Sequence, residues 1–326
     1  LYNIYYMNNT LNIMNSFNVD TIVNEKSYTC PVKFQDTYKT KFPIYVLGDL
    51  HGDFDILIEC LQKIKLIDNN YNWIGKRCHL VQLGDIFDRK RGNENDNESI
   101  DELDEFKILI FLNNLDIDAK RQGGKVHIII GNHELMNMMG DFSYVHSQHL
   151  KFINKEIRYK LFRPGGYIST IIACHCYGVL KINNWVFCHA GLIQKKITNK
   201  SITEINKLIR DILSNKRPIQ ELNENEHKLI FGNDSIFWTR YYSNESIPII
   251  ERCNTLQSTL ENLNITFNKK GGMIVGHTPH NKITHICNKH FYFADIGLSS
   301  AFSKYGNISK QMLEILPDSD PAIITL

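Results

Sequence analysis

Five short segments of this chain carry residues of the kinds that hold metal ions and move protons. They are Gly48-Asp49-Leu50-His51-Gly52, Gly84-Asp85-Ile86-Phe87-Asp88-Arg89, Gly131-Asn132-His133-Glu134, Phe187-Cys188-His189-Ala190-Gly191 and Gly276-His277-Thr278. Asp and His offer oxygen and nitrogen ligands matched to Mn, Fe or Zn. Asp49, His51, Asp85, Asn132, His189 and His277 together make a ligand set for two divalent ions, and the Asp85 carboxylate can bridge them. Two ions roughly 3.5–4 Å apart can share a water, lower its pKa and aim it at phosphorus. Asn132 adds a neutral oxygen, which brings no negative charge to a place where phosphate must bind. Arg89 can fork two N–H groups onto phosphate oxygens. His133 adjoins a metal ligand, so its imidazole can protonate a leaving-group oxygen, with Asp88 placed to orient it and keep it protonated.

The hydrophobic pattern supplies the elements that must bring these segments together. The first three each follow an apolar, strand-like run, at Ile44–Leu47, 80–83 and 126–130. Loops at the carboxyl ends of strands are where α/β sheets place their chemistry. Glycine beside each ligand lets the backbone turn sharply and come close. Helical spacing predicts helices over 54–64 and 99–122, the second ended by Gly123-Gly124. Helices are also predicted over 147–160, 202–214 and 251–263. Val179–Ile182 and Trp185–Cys188 read as a strand pair turned at Asn183-Asn184. The polar stretch 215–233 reads as a loop, and 273–275, 283–286, 291–294 and 312–315 as late strands. Strands mixed with helices throughout predict an α/β sandwich with its sheets at the centre.

Composition bounds the function. A chain of 326 residues can bury a substantial core. The expected division is an N-terminal extension over 1–42 and one catalytic domain over 43–326. A net charge of +2 gives no reason to propose nucleic acid or membrane partners. The acidic run 96–105 reads as solvated surface. No run of eighteen apolar residues predicts a membrane span, and the first 24 residues make a poor signal peptide. The eight cysteines lack framework spacing and read as reduced thiols in a cytoplasmic protein. Cys174-His175-Cys176 lacks the spacing and the second pair that structural zinc requires. Several Asn-X-Ser/Thr sequons, at Asn97 and Asn264 among others, are what an Asn-rich chain produces by chance.

The segments resemble the phosphoprotein-phosphatase branch of the calcineurin-like metallophosphoesterases. The run from Gly131 to Val145, GNHELMNMMGDFSYV, is similar to a block of the Shewanella-like phosphatases. So are Phe162-Arg163-Pro164-Gly165-Gly166, His189-Ala190-Gly191-Leu192, Gly276-His277-Thr278-Pro279 and Asp295-Ile296-Gly297-Leu298-Ser299. The match runs roughly from Pro43 to Leu316. The resemblance implies the β-sandwich flanked by helices of that family. It implies that Asp49, His51 and Asp85 hold one ion, and that Asp85, Asn132, His189 and His277 hold the other. It also implies Asp88 and His133 as the acid pair, with Asn132, Arg89 and Arg240 (the last in Phe237-Trp238-Thr239-Arg240) on phosphate. Asp141 and Tyr144 match the block and are expected to play a supporting role. His280 is close enough in sequence to His277 to approach the site.

The chain departs from the family where glycine usually follows Asp-Arg. Lys90 and Arg91 intervene before Gly92, and an acidic, Asn-rich stretch follows. The loop bordering the phosphate site is therefore altered, while every ligand is present. The activity implied is hydrolysis of phosphoprotein monoesters, on Ser/Thr with Tyr left open, by in-line attack of a hydroxide bridging two metals. The alternatives are a phosphoesterase for small molecules or dinucleoside polyphosphates, which predicts a closed, basic pocket, and a non-enzymatic metal-binding interaction module.

Overall fold

The computed structural model describes residues 28, 30, 34–91, 103–197, 200–266, 270–305 and 309–326. The strands, in chain order, are β1 (Thr37–Tyr38), β2 (Ile44–Leu47), β3 (His79–Gln82), β4 (Lys125–Ile129), β5 (Cys176–Tyr177), β6 (Val179–Ile182), β7 (Trp185–Cys188), β8 (Gly272–Val275), β9 (Thr284–Ile286), β10 (Phe291–Phe293), β11 (Gln311–Ile315) and β12 (Ala322–Thr325). They form two six-stranded sheets, ordered β1-β6-β7-β8-β10-β9 and β12-β11-β2-β3-β4-β5. β1 lies within the residues assigned above to the N-terminal extension and pairs in parallel with β6.

The sequence pattern explains why the ligands meet. β2, β3 and β4 are parallel neighbours, with Leu47 opposite Gln82 and Gln82 opposite Ile128. β3 is buried along its whole length and β2 and β4 nearly so, as expected of strands covered on both faces. Aligned parallel strands end together, so the loops that follow them share one edge of the sheet. In the other sheet β7 and β8 are also parallel neighbours, and His189 and His277 come just after them. The carboxyl ends of both sheets therefore converge on one place.

Two helices that the periodicity did not predict matter here. Asn132–Met139 starts directly at the third metal segment and ends at Gly140, whose φ is +81°. Tyr167–His175 packs its apolar face into the core. The helix expected over 147–160 is two helices, Ser147–Phe152 and Lys155–Phe162, because the Asn154 side chain accepts from the Ile157 N–H and starts a new one. The expected loop 215–233 contains the helix Glu224–Phe231. Its signal was a capping box, in which Asn223 and Glu226 bond each other's backbone N–H. The long helix expected from residue 99 is described as Asp104–Arg121. Its expected start, most of the run 96–105, the Asn97 sequon, Gly92 and the first 27 residues lie outside the described residues.

The reading of all cysteines as reduced is overturned for four of them. Cys30 bonds to Cys174 and Cys253 to Cys287, across separations of 144 and 34 residues. Spacing along the chain carries no sign of such pairs, since folding alone brings them together. Cys60, Cys78, Cys176 and Cys188 are free thiols. No helix among the described residues is long and apolar enough to cross a membrane.

Candidate active site

The strand-end loops hold their ligands in conformations that side chains seldom adopt. His51, Asp85, Asp88 and His277 all have positive φ, between 43° and 71°. Such backbone persists only where its surroundings hold it, and it clusters at functional sites. Glu134 does part of the holding. Its carboxylate accepts the backbone N–H groups of Gly131, Asp85, Ile86 and Phe87, joining two of the loops. Gly131 has to lack a side chain, because a Cβ there would run into Asp85 Oδ1.

Asn132, His189, His277 and Asp85 converge on one point. Asn132 Oδ1 lies 2.9 Å from His189 Nε2 and 2.9 Å from His277 Nδ1. His189 Nε2 is 3.3 Å from Asp85 Oδ2. The far ring nitrogens are held by carbonyls, His189 Nδ1 by Leu83 at 2.8 Å and His277 Nε2 by Trp238 at 3.2 Å. Those bonds orient the inward nitrogens, as around metal-binding histidines. Asp85, His189 and His277 thus form a buried group of metal-ligand type. His51, Asp85 and His133 form a second, with His51 Nε2 3.8 Å from Asp85 Oδ2.

Asp49 Oδ1 is buried with no hydrogen-bond partner among the described residues, while Oδ2 accepts from the His277 N–H at 3.0 Å. A bare buried carboxylate oxygen beside imidazoles is what a cation would satisfy. The residues present therefore fit two ions. On the His51 side Arg91 Nη2 lies 2.7 Å from Nε2, so the guanidinium and an ion cannot both take that nitrogen.

Burial and neighbouring charges shift these groups strongly. Burial and the neighbouring Asp295 and Asp85 push Asp49 well above the usual carboxylate range. Burial also works against an ionised Asp85, but the imidazoles of His189, His133 and His51 outweigh it and hold Asp85 well below that range. Burial and His189 bring His277 down to about 3. Burial and Arg91 hold His51 low as well, so both present neutral nitrogens. His133 and His189 are raised despite burial, chiefly by Asp85. Burial pushes Asp295 up to about 6.

His133 Nδ1 lies 2.8 Å from Asp88 Oδ2, and Nε2 is 3.9 Å from Asp85 Oδ2. One face of the imidazole therefore belongs to Asp88 and the other to the ligand cluster. The site opens into a pocket of about 420 Å³ whose lining includes His51, Asp85, Asn132, His133 and His277. Arg240 lines it, as does Tyr144, whose ring centre is 5.2 Å from that of His133. Arg89 does not. It is buried, bonds Gly52 O and Ser300 Oγ, and lies 3.6 Å from Asp53. Asp141 is an exposed residue that accepts from the Ser143 N–H. His280 lines the adjoining groove instead.

The sequence reading gave no role to Arg91, Asp295, Met136 or Phe302, all of which line the pocket. The departure after Asp-Arg was the one signal pointing to Arg91. Met136 and Asp295 lie in segments similar to the family, though no role was attached to them, and Phe302 carries no such signal.

The model of the calcineurin-like phosphoesterase family matches residues 42–281. Shewanella-like protein phosphatase 1 of Plasmodium berghei is 31% identical over 290 residues, covering 86% of this chain and 73% of that protein. Shewanella-like protein phosphatase 2 of Arabidopsis thaliana is 27% identical over 326 residues, covering 86% and 77%. Among solved structures, the cold-active protein-tyrosine phosphatase of a psychrophilic Shewanella species matches with a TM-score of 0.72 at 26% identity, covering 90% of this chain and 82% of that one.

Proposed function

This chain belongs to the calcineurin-like phosphoesterase family and is a hydrolase of phosphoesters, and on that premise we propose that it is a two-metal phosphoprotein phosphatase. The observation that carries the reading is the Asp88–His133 pair at 2.8 Å, set against the cluster of Asp85, Asn132, His189 and His277. Asp49, His51 and Asp85 would hold one ion. Asp85, Asn132, His189 and His277 would hold the other, with Mn, Fe or Zn suited to this donor set. When bound, the ions supply Lewis acidity and a water activated as nucleophile.

The chain's own residues do the rest. Arg240 and Arg91 face the pocket and bind the phosphoryl oxygens as charge develops on them. Asn132 brings its amide to the same wall. His133, oriented by Asp88 through Nδ1, delivers the proton on Nε2 to the departing oxygen. The reaction needs no nucleophilic side chain, so no phosphoenzyme forms.

The pocket walls bear on the substrate. Met136, Tyr144, Trp238 and Phe302 surround the polar floor with apolar and aromatic surface, which suits a phosphotyrosine ring as well as phosphoserine or phosphothreonine. Trp238 and Arg240 also line an adjoining groove of about 600 Å³ with Asn233, Asp234, Tyr241 and Asn244. That groove gives room for the residues flanking a phosphorylated side chain. The closed, basic pocket expected of a dinucleoside polyphosphatase is a poorer fit, and a purely metal-binding module would have no use for the Asp88–His133 pair.

The test is hydrolysis of phosphotyrosine and phosphoserine peptides and of diadenosine tetraphosphate, with Mn²⁺ and with chelator. Metal-dependent peptide turnover that is lost in His133→Asn supports the reading. Turnover of the dinucleotide alone overturns it in favour of a small-molecule esterase, and no turnover by metal-loaded protein in favour of a binding module.

A further inference from the structure

Asp88 is surrounded more tightly than a proton-orienting carboxylate requires. Its Oδ2 faces His133 Nδ1. Its Oδ1 accepts from Asn137 Nδ2 at 2.9 Å, with Arg158 Nη2 at 3.4 Å. Its N–H donates to Glu105 Oε1 at 2.7 Å. Arg158 ties these groups together: Nε donates to Asn137 Oδ1 at 2.6 Å, and Nη2 lies 2.9 Å from Glu105 Oε2. Its guanidinium has no exposed surface and lies 5.1 Å from the ring centre of Phe162 and 5.8 Å from that of Phe106.

Stability alone does not account for a charge placed here. An ion pair taken out of water roughly breaks even against apolar side chains of the same volume, and three phenylalanines already wall this site. Hydrogen-bond direction does account for it. A carboxamide can present either its oxygen or its NH₂ to a neighbour, whereas a guanidinium only donates. Arg158 Nε therefore takes the Asn137 oxygen and leaves Asn137 Nδ2 for Asp88 Oδ1. The same NH₂ reaches the His133 carbonyl at 2.9 Å. With Oδ1 held by donors and the N–H fixed by Glu105, Asp88 keeps Oδ2 aimed at His133. The positive φ of Asp88, 71°, is held by the same contacts.

We propose that Arg158 is a positioning residue for proton delivery, setting the Asn137 amide so that Asp88 holds His133 at the leaving-group side of the pocket. The proposal rests on the phosphatase reading above. Its signature is dependence on the leaving group, because an ester whose leaving group is already a stable anion needs no proton. The substrates are phenyl phosphate and dinitrophenyl phosphate, each with metal-loaded protein.

In Asn137→Leu, which removes no charge, kcat on phenyl phosphate falls about tenfold or more while kcat on dinitrophenyl phosphate changes by less than about threefold, with KM unchanged on both. Arg158→Met behaves alike, and Arg158→Lys, which also only donates, recovers part of the loss. Equal losses on both esters, or a loss confined to KM, at unchanged metal content and melting temperature overturn the proposal. If Arg158→Met fails to fold, Asn137→Leu decides alone. No turnover of either ester by the metal-loaded wild type removes the phosphatase reading, and this proposal with it.

Discussion

Arg89 and Arg91, separated only by Lys90, serve different parts of the molecule. Arg89 turns inward to Asp53, Ser300 and the Gly52 carbonyl. Arg91 turns into the reaction pocket, its guanidinium 4.9 Å from the ring centre of Phe302 and 5.7 Å from that of Tyr144. A motif assigns the phosphate contact to Arg89; the loop that departs from the motif brings a different guanidinium into the pocket lining.

Arg91→Ala should therefore lower kcat/KM for phosphomonoesters by about 10–100-fold, the worth of a charge-assisted contact, with the melting temperature nearly unchanged. Arg89→Ala should do the reverse and destabilise the fold by about 3 kcal/mol, because it leaves the buried Asp53 carboxylate without its cation. Steady-state kinetics and thermal melts on both variants check this. A larger kinetic loss from Arg89→Ala would return the phosphate contact to Arg89.

Metal binding should be visible in stability as well as in activity. Asp49 Oδ1 has no partner among the described residues, and the ligand-type residues lie on loops from both sheets. An ion present at a thousandfold excess over its Kd stabilises the folded chain by about 4 kcal/mol. Chelation should lower the melting temperature, and Asp49→Ala should reduce both the bound metal, read by elemental analysis, and the rise in melting temperature on adding Mn²⁺.

The other end of the sheet should make the fold sensitive to acid. His79 Nδ1 lies 3.0 Å from His127 Nε2 between neighbouring strands. Burial and the nearby Lys125 bring His79 down from 6.5 to about 4 and hold His127 well below its usual value. The unfolded chain takes up these protons more readily than the folded one. The associated stability is full above pH 6.5 and is lost as pH falls toward 4. For His79 the loss is about 3 kcal/mol. Urea midpoints measured across that range should fall, and His79→Gln should flatten the fall.

The Cys253–Cys287 bond ties the helix Ile249–Asn262 to the turn between β9 and β10. Closing a loop of that separation is worth about 3–4 kcal/mol by the chain-entropy account. Reductant, or Cys253→Ser, should lower the melting temperature accordingly, and mass spectrometry of the non-reduced protein should show the linked peptides. An unchanged melting temperature would mean that the bond contributes no stability.

Much of this protein was written in local pattern. Ligand types beside glycines, each after an apolar run, marked Asp49, His51, Asp85 and Asn132 and put them at strand ends. Such signals are local because a strand end and its turn are specified by a few consecutive residues. What the pattern could not carry was anything decided by distant parts of the chain. Whether Arg89 or Arg91 meets the pocket depends on Asp53 and Ser300, far apart in sequence. The orientation of Asp88 depends on Arg158, 70 residues away. The disulfides depend on Cys174 and Cys287 arriving beside their partners. Side-chain direction and burial are properties of packing, and packing is settled only when the sheets close on one another.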